Sequence, residues 1–172
     1  MKLKFLGIVW VLLFFVSCKK KQDDAALVVE KPVESQVIKV KDIAKIKYTD
    51  YILDSRAEDS IVNWMAYKQL DEVVNNLKKA DLSFFKANEK NVKELVRNLK
   101  QTIPAEINNN AITARITALE TQLLKLESLY NLSTTTKPEL LENIRAFLVA
   151  FSNLNLQMNK KIEADNIIIE RP

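Results

Sequence analysis

The chain contains no histidine, and it has one cysteine and one glycine among its 172 residues. Without histidine, neither a Ser-His-Asp triad nor a Cys-His pair can form, and ordinary zinc and haem-His sites are excluded. A single cysteine excludes an intramolecular disulfide and a multi-thiolate metal site. We therefore expect a protein that is not an enzyme and that uses neither a cofactor nor a metal ion.

Glycine is missing from almost the whole chain, since the only one, Gly7, lies in an apolar run near the amino terminus. The remaining residues therefore contain neither the glycine fingerprint of dinucleotide-binding folds nor a Walker loop. Tight β-hairpins also favour glycine, because their turns need positive φ angles. The scarcity of glycine therefore argues against a nucleotide site and against hairpin-rich folds.

The formal net charge of +4 is unevenly distributed along the chain. Five lysines lie within the first 21 residues, at positions 2, 4 and 19–21. From residue 22 onward, 21 basic residues are balanced by 22 acidic ones. Because this body carries no net positive charge, we expect no nucleic-acid partner.

The amino terminus has the organisation of a secretory signal. Lys2 and Lys4 form a short positive region, and residues 5–16 are a run of 12 uncharged residues. That run is shorter than the ~20 residues that a membrane-spanning helix needs. It ends at Ser17 and Cys18, where a small residue precedes the single cysteine. This segment resembles the signal of bacterial lipoproteins, in which the cysteine is acylated and becomes the first residue after cleavage.

The resemblance implies a signal peptide at 1–17 and a lipid attached to Cys18. Two or three acyl chains, at ~0.8 kcal/mol per buried methylene, hold a protein stably on a bilayer. The lysines 19–21, followed by Asp23 and Asp24, resemble the surface-export tag of some Bacteroidetes lipoproteins. These features imply a place in the bacterial cell envelope, at the outer membrane, with the periplasmic and the surface leaflet both open. The three lysines either contact lipid headgroups or belong to a solvated tether.

Residues 18–41 are predicted to be the lipidated cysteine followed by an extended linker, because Pro32 and scattered charges interrupt any helical period. Residues 42–172 are predicted to form the helical bundle domain. The pattern leaves open whether residues 42–56 form a helix and whether the last residues, 166–172, dock on the body.

Helical spacing of apolar residues becomes regular near residue 57 and predicts four helices. The first runs to about Lys79 and has Asp59 and Ser60 as candidate caps. The second follows Asp81 and Ser83 and ends before Pro104, because proline disfavours the α conformation in the residue before it.

The third and fourth predicted helices have the clearest patterns. The third begins near Thr102, with Pro104 in its first turn. It carries a heptad seam of apolar residues: Ile112, Ile116, Leu119, Leu123, Leu126 and Tyr130. The fourth follows a polar loop and begins with a capping box made by Thr136 and Glu139, with Pro138 in its first turn. Short connections favour antiparallel neighbours, so we predict an all-α fold, an antiparallel helical bundle of about four helices behind a flexible tether.

Two features of the predicted helices have both a binding and a packing interpretation. Asn155 occupies a core position, where it either fixes helix register against a polar partner or contacts a buried ligand. Five aromatic residues either line an apolar pocket or simply fill the core: Trp64, Phe84, Phe85, Phe147 and Phe151.

Taken together, the anchor and the catalytically poor bundle predict a membrane-anchored envelope lipoprotein with a non-catalytic protein-interaction domain. Its body resembles the small helical envelope lipoproteins of Bacteroidetes. The membrane is one expected partner, through the lipid, and an envelope protein is the other. The heptad seam also allows self-association. The alternative is a carrier that holds a small apolar ligand in the bundle core.

Overall fold

Six helices account for most of residues 37–167, the part of the chain that the computed structural model describes. Two are short, α1 (Val40–Ile43) and α2 (Ser55–Ser60). Four are long: α3 (Met65–Lys78), α4 (Glu89–Gln101), α5 (Asn110–Asn131) and α6 (Lys137–Asp165). These residues contain no strand, so the predicted all-α bundle is confirmed. The predictions for the signal peptide, Cys18, most of the linker and residues 168–172 lie outside the described residues.

The long helices α5 and α6 pack on each other and form the centre of the bundle. The Asn143 amide near the start of α6 donates to Gln122 in the second half of α5 (3.3 Å), as antiparallel neighbours require. The predicted seam is confirmed at five positions, since these side chains are fully buried: Ile112, Ile116, Leu119, Leu123 and Leu126. The predicted start of α6 is also confirmed, because the Thr136 hydroxyl accepts a hydrogen bond from the Glu139 N–H.

The first predicted helix is interrupted at residues 61–64, which separate α2 from α3. The side chain that caps α2 is Asp54, whose carboxylate accepts from the Ala57 N–H (2.9 Å), and not Asp59 or Ser60. The Trp64 indole N–H donates to the Thr102 hydroxyl beyond the end of α4 (3.1 Å). This contact between distant parts of the chain accompanies a break between α2 and α3 that apolar spacing does not reveal.

The second predicted helix begins later than expected. Ser83–Phe85 form a 3₁₀ turn, and α4 starts at Glu89. Ala87, with a φ of 50°, lies in the left-handed region and ends the helical path there. Asn131 satisfies the backbone groups that a helix would otherwise pair, since its amide donates to the Phe85 carbonyl (2.7 Å) and accepts from the Ala87 N–H (2.8 Å).

The third predicted helix also begins later, at Asn110, although α4 ends at Gln101, ahead of Pro104, as predicted. The cap is Asn109, whose side-chain oxygen accepts from the Ile112 N–H (2.8 Å). The residues between the two helices form turns that bury Ile107, and this burial takes the place of the first predicted helical turns.

Ordered structure reaches into the last residues of the predicted linker, 18–41. Ile38 is buried in the core and α1 begins at Val40, because Ile38 and Ile43 both gain by leaving water. Beyond α1, residues 47–54 are neither helix nor strand, and we call this segment the strap. No helix within residues 37–167 is long and apolar enough to span a membrane.

Candidate functional site

The strap lies along α6 and is held there by polar side chains of that helix. The Ser152 hydroxyl accepts from the Tyr51 N–H and donates to the Thr49 carbonyl, both at 2.7 Å. The Arg145 guanidinium donates to the Lys47 carbonyl (3.3 Å). Because the strap is not part of a sheet or a helix, its backbone groups need such side-chain partners.

Two asparagines extend this row of contacts toward the end of α6. The Asn155 amide donates to the Tyr51 carbonyl (3.0 Å). The Asn159 amide donates to the Ile52 carbonyl (2.8 Å), and its oxygen accepts from the Asp54 N–H (3.0 Å). Ser152 and the two asparagines are three and four residues apart, which places them on one face of the helix.

Asn155 also connects the strap to α3. Its side-chain oxygen accepts a hydrogen bond from the Tyr67 hydroxyl (2.8 Å), and both residues are buried. The Tyr67 ring stacks on Trp64 and on Phe151, with ring centroids 5.6 and 5.9 Å apart. Asn155 therefore has polar partners within the chain, as the register interpretation predicts.

A cleft of about 520 Å³ opens between the strap and α3, and we call it the strap cleft. Its buried lining residues are Tyr67, Phe151 and Asn155, together with Ile61 at the end of α2. Polar and apolar side chains of the strap, α2 and α3 form the rest of its lining: Asp50, Tyr51, Ile52, Leu53, Glu58, Val62, Lys68, Asp71, Asn75 and Lys78. The cleft thus combines a buried aromatic floor with a charged and partly apolar rim.

Some of the charged side chains around the strap cleft form an ion pair and others do not. Lys78 and Asp50 form an ion pair at 2.7 Å. Although burial alone lowers the pKa of Lys78, the hydrogen bond to Asp50 leaves that pKa raised. Within residues 37–167, by contrast, Glu58, Lys68 and Asp71 form no ion pair.

The pKa of the buried Tyr67 hydroxyl on the floor is raised. Burial raises the pKa of Tyr67, and the nearby carboxylates of Asp71 and Glu58 raise it further. The hydrogen bond to Asn155 works in the opposite direction. Tyr67 is therefore a neutral hydrogen-bond donor at physiological pH, which suits it to binding and to packing.

Exposed apolar side chains surround the strap cleft. Ile52 is 78% exposed and Val62 is 54% exposed, and both line it. Met65, 69% exposed, lines a neighbouring depression that shares Lys68 with the strap cleft. In the described part of the chain, no three acidic or cysteine side chains are grouped so that they could hold a metal ion.

The five aromatic residues that the sequence offered either as a pocket or as core fall into two ring clusters. Phe85 packs edge-on against Phe84 and Phe147, with centroids 5.4 and 6.4 Å apart. Trp64 and Phe151 belong to the other cluster, in which each of them stacks on the ring of Tyr67. Phe84 is half-buried and the other four are buried in the core, and of the five it is Phe151 that lines the strap cleft.

Sequence reasoning missed the strap and, apart from Asn155, the residues that bind it. The signal for Ser152 and Asn159 was their spacing from Asn155 on an otherwise apolar helix face. Nothing in the local sequence indicated Tyr67 as the partner of Asn155, because Tyr67 lies on another helix.

The chemistry of the strap cleft has to be inferred from its own side chains. Similarity offers no assignment for this chain: no family model, no curated protein and no solved structure matches it.

Proposed function

We propose that this chain is a lipid-anchored protein of the bacterial cell envelope whose helical domain binds another protein without catalysing a reaction. The lipoprotein-like signal ending at Cys18 supports the anchor, and the outer membrane is the proposed location. The absence of histidine and the neutral Tyr67 at the candidate site support a binding role.

The observation that carries this proposal is the group of exposed apolar side chains around the strap cleft. Ile52, Val62 and Met65 are each more than half exposed, next to a floor that is almost completely buried. Clustered apolar exposure rimmed by polar residues is typical of protein-binding surfaces. A partner that covers these side chains gains their burial, at about 25 cal/mol per Å² of apolar surface.

Site-specific photo-crosslinking in the cells that make the protein tests this proposal. A photoreactive amino acid replaces Ile52 in the full chain, and the matched control carries it at Leu132, an exposed leucine beyond the end of α5. We expect a discrete crosslinked product from position 52 that is absent from position 132. The additional substitution Val62→Glu should remove that product. Equal products from both positions, or none from position 52, would reject the proposal.

The second candidate function is a carrier for a small apolar ligand, and the volume of the strap cleft favours it. At about 520 Å³ the cleft falls within the range of small-molecule pockets. Native mass spectrometry of the protein from its own cells should then reveal a bound small molecule that Val62→Glu displaces. A clean mass together with crosslinking to a protein would favour the interaction domain.

A further inference from the structure

We infer that the strap cleft selects a basic protein segment, one in which an apolar side chain stands next to a lysine or an arginine. This inference rests on the proposed function, because it names the chemistry of the partner that the cleft would bind. It depends on which charges around the cleft are already paired and on how far the apolar surface continues.

The unpaired charges at the strap cleft are mainly negative. The ion pair of Asp50 with Lys78 neutralises one charge of each sign. Two carboxylates, Glu58 and Asp71, and one ammonium group, that of Lys68, are left in the lining. Within residues 37–167 none of these three has an ion-pair partner. Asp71 accepts a hydrogen bond from the Asn75 amide (3.0 Å), which leaves its charge uncompensated.

Both free carboxylates act on the floor of the cleft. Both line the cleft whose floor includes Tyr67, and their charges raise the pKa of Tyr67 in addition to the larger effect of its burial. A cation above the floor would interact favourably with both carboxylates. Such attraction is stronger where a bound segment excludes water, because the effective dielectric constant falls.

The apolar surface continues beyond the strap cleft, which favours a protein segment over a small cation. A second depression of about 660 Å³ runs between α3 and the end of α4, and Met65, Gln69 and Thr102 are among its lining residues. Lys68 lies between the two depressions, and Glu72 adds another carboxylate to the second. The combined surface is therefore net negative, with an apolar side chain exposed in each part.

Binding of two charge-matched peptides to the purified full chain tests this inference. The probes are end-blocked hexapeptides, Ser-Leu-Arg-Phe-Arg-Ser and the same sequence with glutamate for arginine. Fluorescence anisotropy of labelled peptides should give at least about a tenfold preference for the arginine peptide, and this preference should weaken as salt is added.

Charge-removing variants locate the preference. The double variant Glu58→Gln and Asp71→Asn should reduce the preference to about threefold or less, because it removes both free carboxylates. The control Glu106→Gln neutralises an exposed carboxylate outside the cleft and should leave the preference unchanged. Circular dichroism checks that the variants remain folded, and either single substitution serves if the double variant unfolds.

Three peptide-binding results would overturn the inference: equal binding of the two peptides, no binding of either, or a preference that survives the cleft variants. Dimerisation of the chain that Asp71→Asn abolishes would make a second copy the occupant and would also overturn it. Crosslinking from position 52 separates the two proposals. If it persists while the peptides bind equally, the basic specificity fails and the protein-binding role stands.

Discussion

Asparagine side chains hold together the parts of this protein that are not helical. An amide carries donors and an acceptor on one short side chain, so it can pair with a backbone N–H and a carbonyl at once. Asn131 does so at Phe85 and Ala87, and Asn155 joins the strap to Tyr67. The abundance of asparagine in this chain therefore has a structural use at defined positions.

Asn131→Ala should destabilise the protein, because it leaves the Ala87 N–H and the Phe85 carbonyl without the side-chain partner that they have now. We expect a loss of about 0.5–1.5 kcal/mol in the free energy of unfolding, the net contribution of a typical hydrogen bond. Urea denaturation followed by circular dichroism measures it. The control Asn63→Ala removes an exposed asparagine and should cost no more than about 0.5 kcal/mol. Equal losses in the two variants would contradict the role of Asn131.

The ion pair of Asp42 with Lys137 (2.7 Å) gives a pH-dependent contribution to stability. Hydrogen bonds from the Lys137 ammonium and the Lys39 N–H hold the pKa of Asp42 below its ordinary value. A lowered folded-state pKa stabilises the protein above the unfolded-state pKa, and this contribution is lost as the pH falls through the folded-state value.

Asp42→Asn should therefore flatten the acid side of the stability profile. The wild-type protein should lose stability relative to the variant as the pH falls below about 4, where the unfolded carboxyl takes up a proton. Denaturation midpoints between pH 7 and pH 2.5 measure the difference. A difference between the two proteins that stays constant over this range would contradict the assigned pKa shift.

At the scale of elements, the strap depends on α6 in a way that its own sequence does not reveal. Backbone groups of residues 47, 49, 51, 52 and 54 bond to side chains of that helix. The strap also forms one wall of the strap cleft. Loosening it should therefore change the cleft without unfolding the bundle.

Asn155→Ala should selectively release the strap, because it removes the partners of the Tyr51 carbonyl and the Tyr67 hydroxyl. We expect faster hydrogen exchange at the Tyr51 and Asp54 amides and an overall loss of about 1–3 kcal/mol. Amide exchange resolved by NMR measures the local effect. The matched control, Asn153→Ala on the same helix, should exchange like the wild type. Unchanged exchange in the Asn155 variant would show that the remaining contacts suffice.

The packing interpretation of the aromatic residues makes a separate prediction. Phe147 is fully buried and contacts Phe85 edge-on, so Phe147→Ala should cost about 3–5 kcal/mol by leaving a cavity. Phe84→Ala should cost less, because that side chain is only half-buried and the site can relax. Denaturant unfolding of both variants measures the ranking. A small loss at Phe147 would favour the pocket interpretation instead.

For the whole molecule, the central prediction concerns the lipid anchor. Cys18→Ala should prevent acylation, because it removes the sulfur atom to which the lipid would attach. The protein should then leave the membrane fraction or remain unprocessed. Metabolic labelling with a fatty acid and membrane fractionation measure both effects. A surface lysine change, Lys86→Ala, serves as the control. Unaltered labelling of the Cys18 variant would contradict the anchor.

The bundle could be predicted from the sequence because its strongest signals are local. The seam from Ile112 to Leu126 repeats with helical spacing, and Thr136 caps α6 by a bond to a residue three positions later. Two of the missed boundaries involve distant partners, whereas the late start of α5 has a local cap at Asn109. Trp64 donates a hydrogen bond to Thr102, and Asn131 accepts one from the Ala87 N–H. Because apolar spacing does not include these contacts, the predicted helices ran continuously through both places.

The candidate site was predictable only in part, for the same reason. Asn155 stood out as a polar residue in an apolar face, and Phe151 was among the predicted aromatics. The strap residues and Tyr67 carry no such signal, because they form a site only through their hydrogen bonds to side chains of α6.

The sequence by itself determined the helical class, the seam of α5, the start of α6 and the chemistries that the missing residues exclude, since each depends on residue types or on neighbours within a few positions. Only the tertiary structure decided where α2 and α3 separate, that residues 47–54 lie on α6, and that a negatively charged cleft with exposed apolar side chains opens beside them. The strap is held on α6 by hydrogen bonds between residues about a hundred positions apart, and the break before α3 is accompanied by a bond between residues 38 positions apart; no local pattern encodes either.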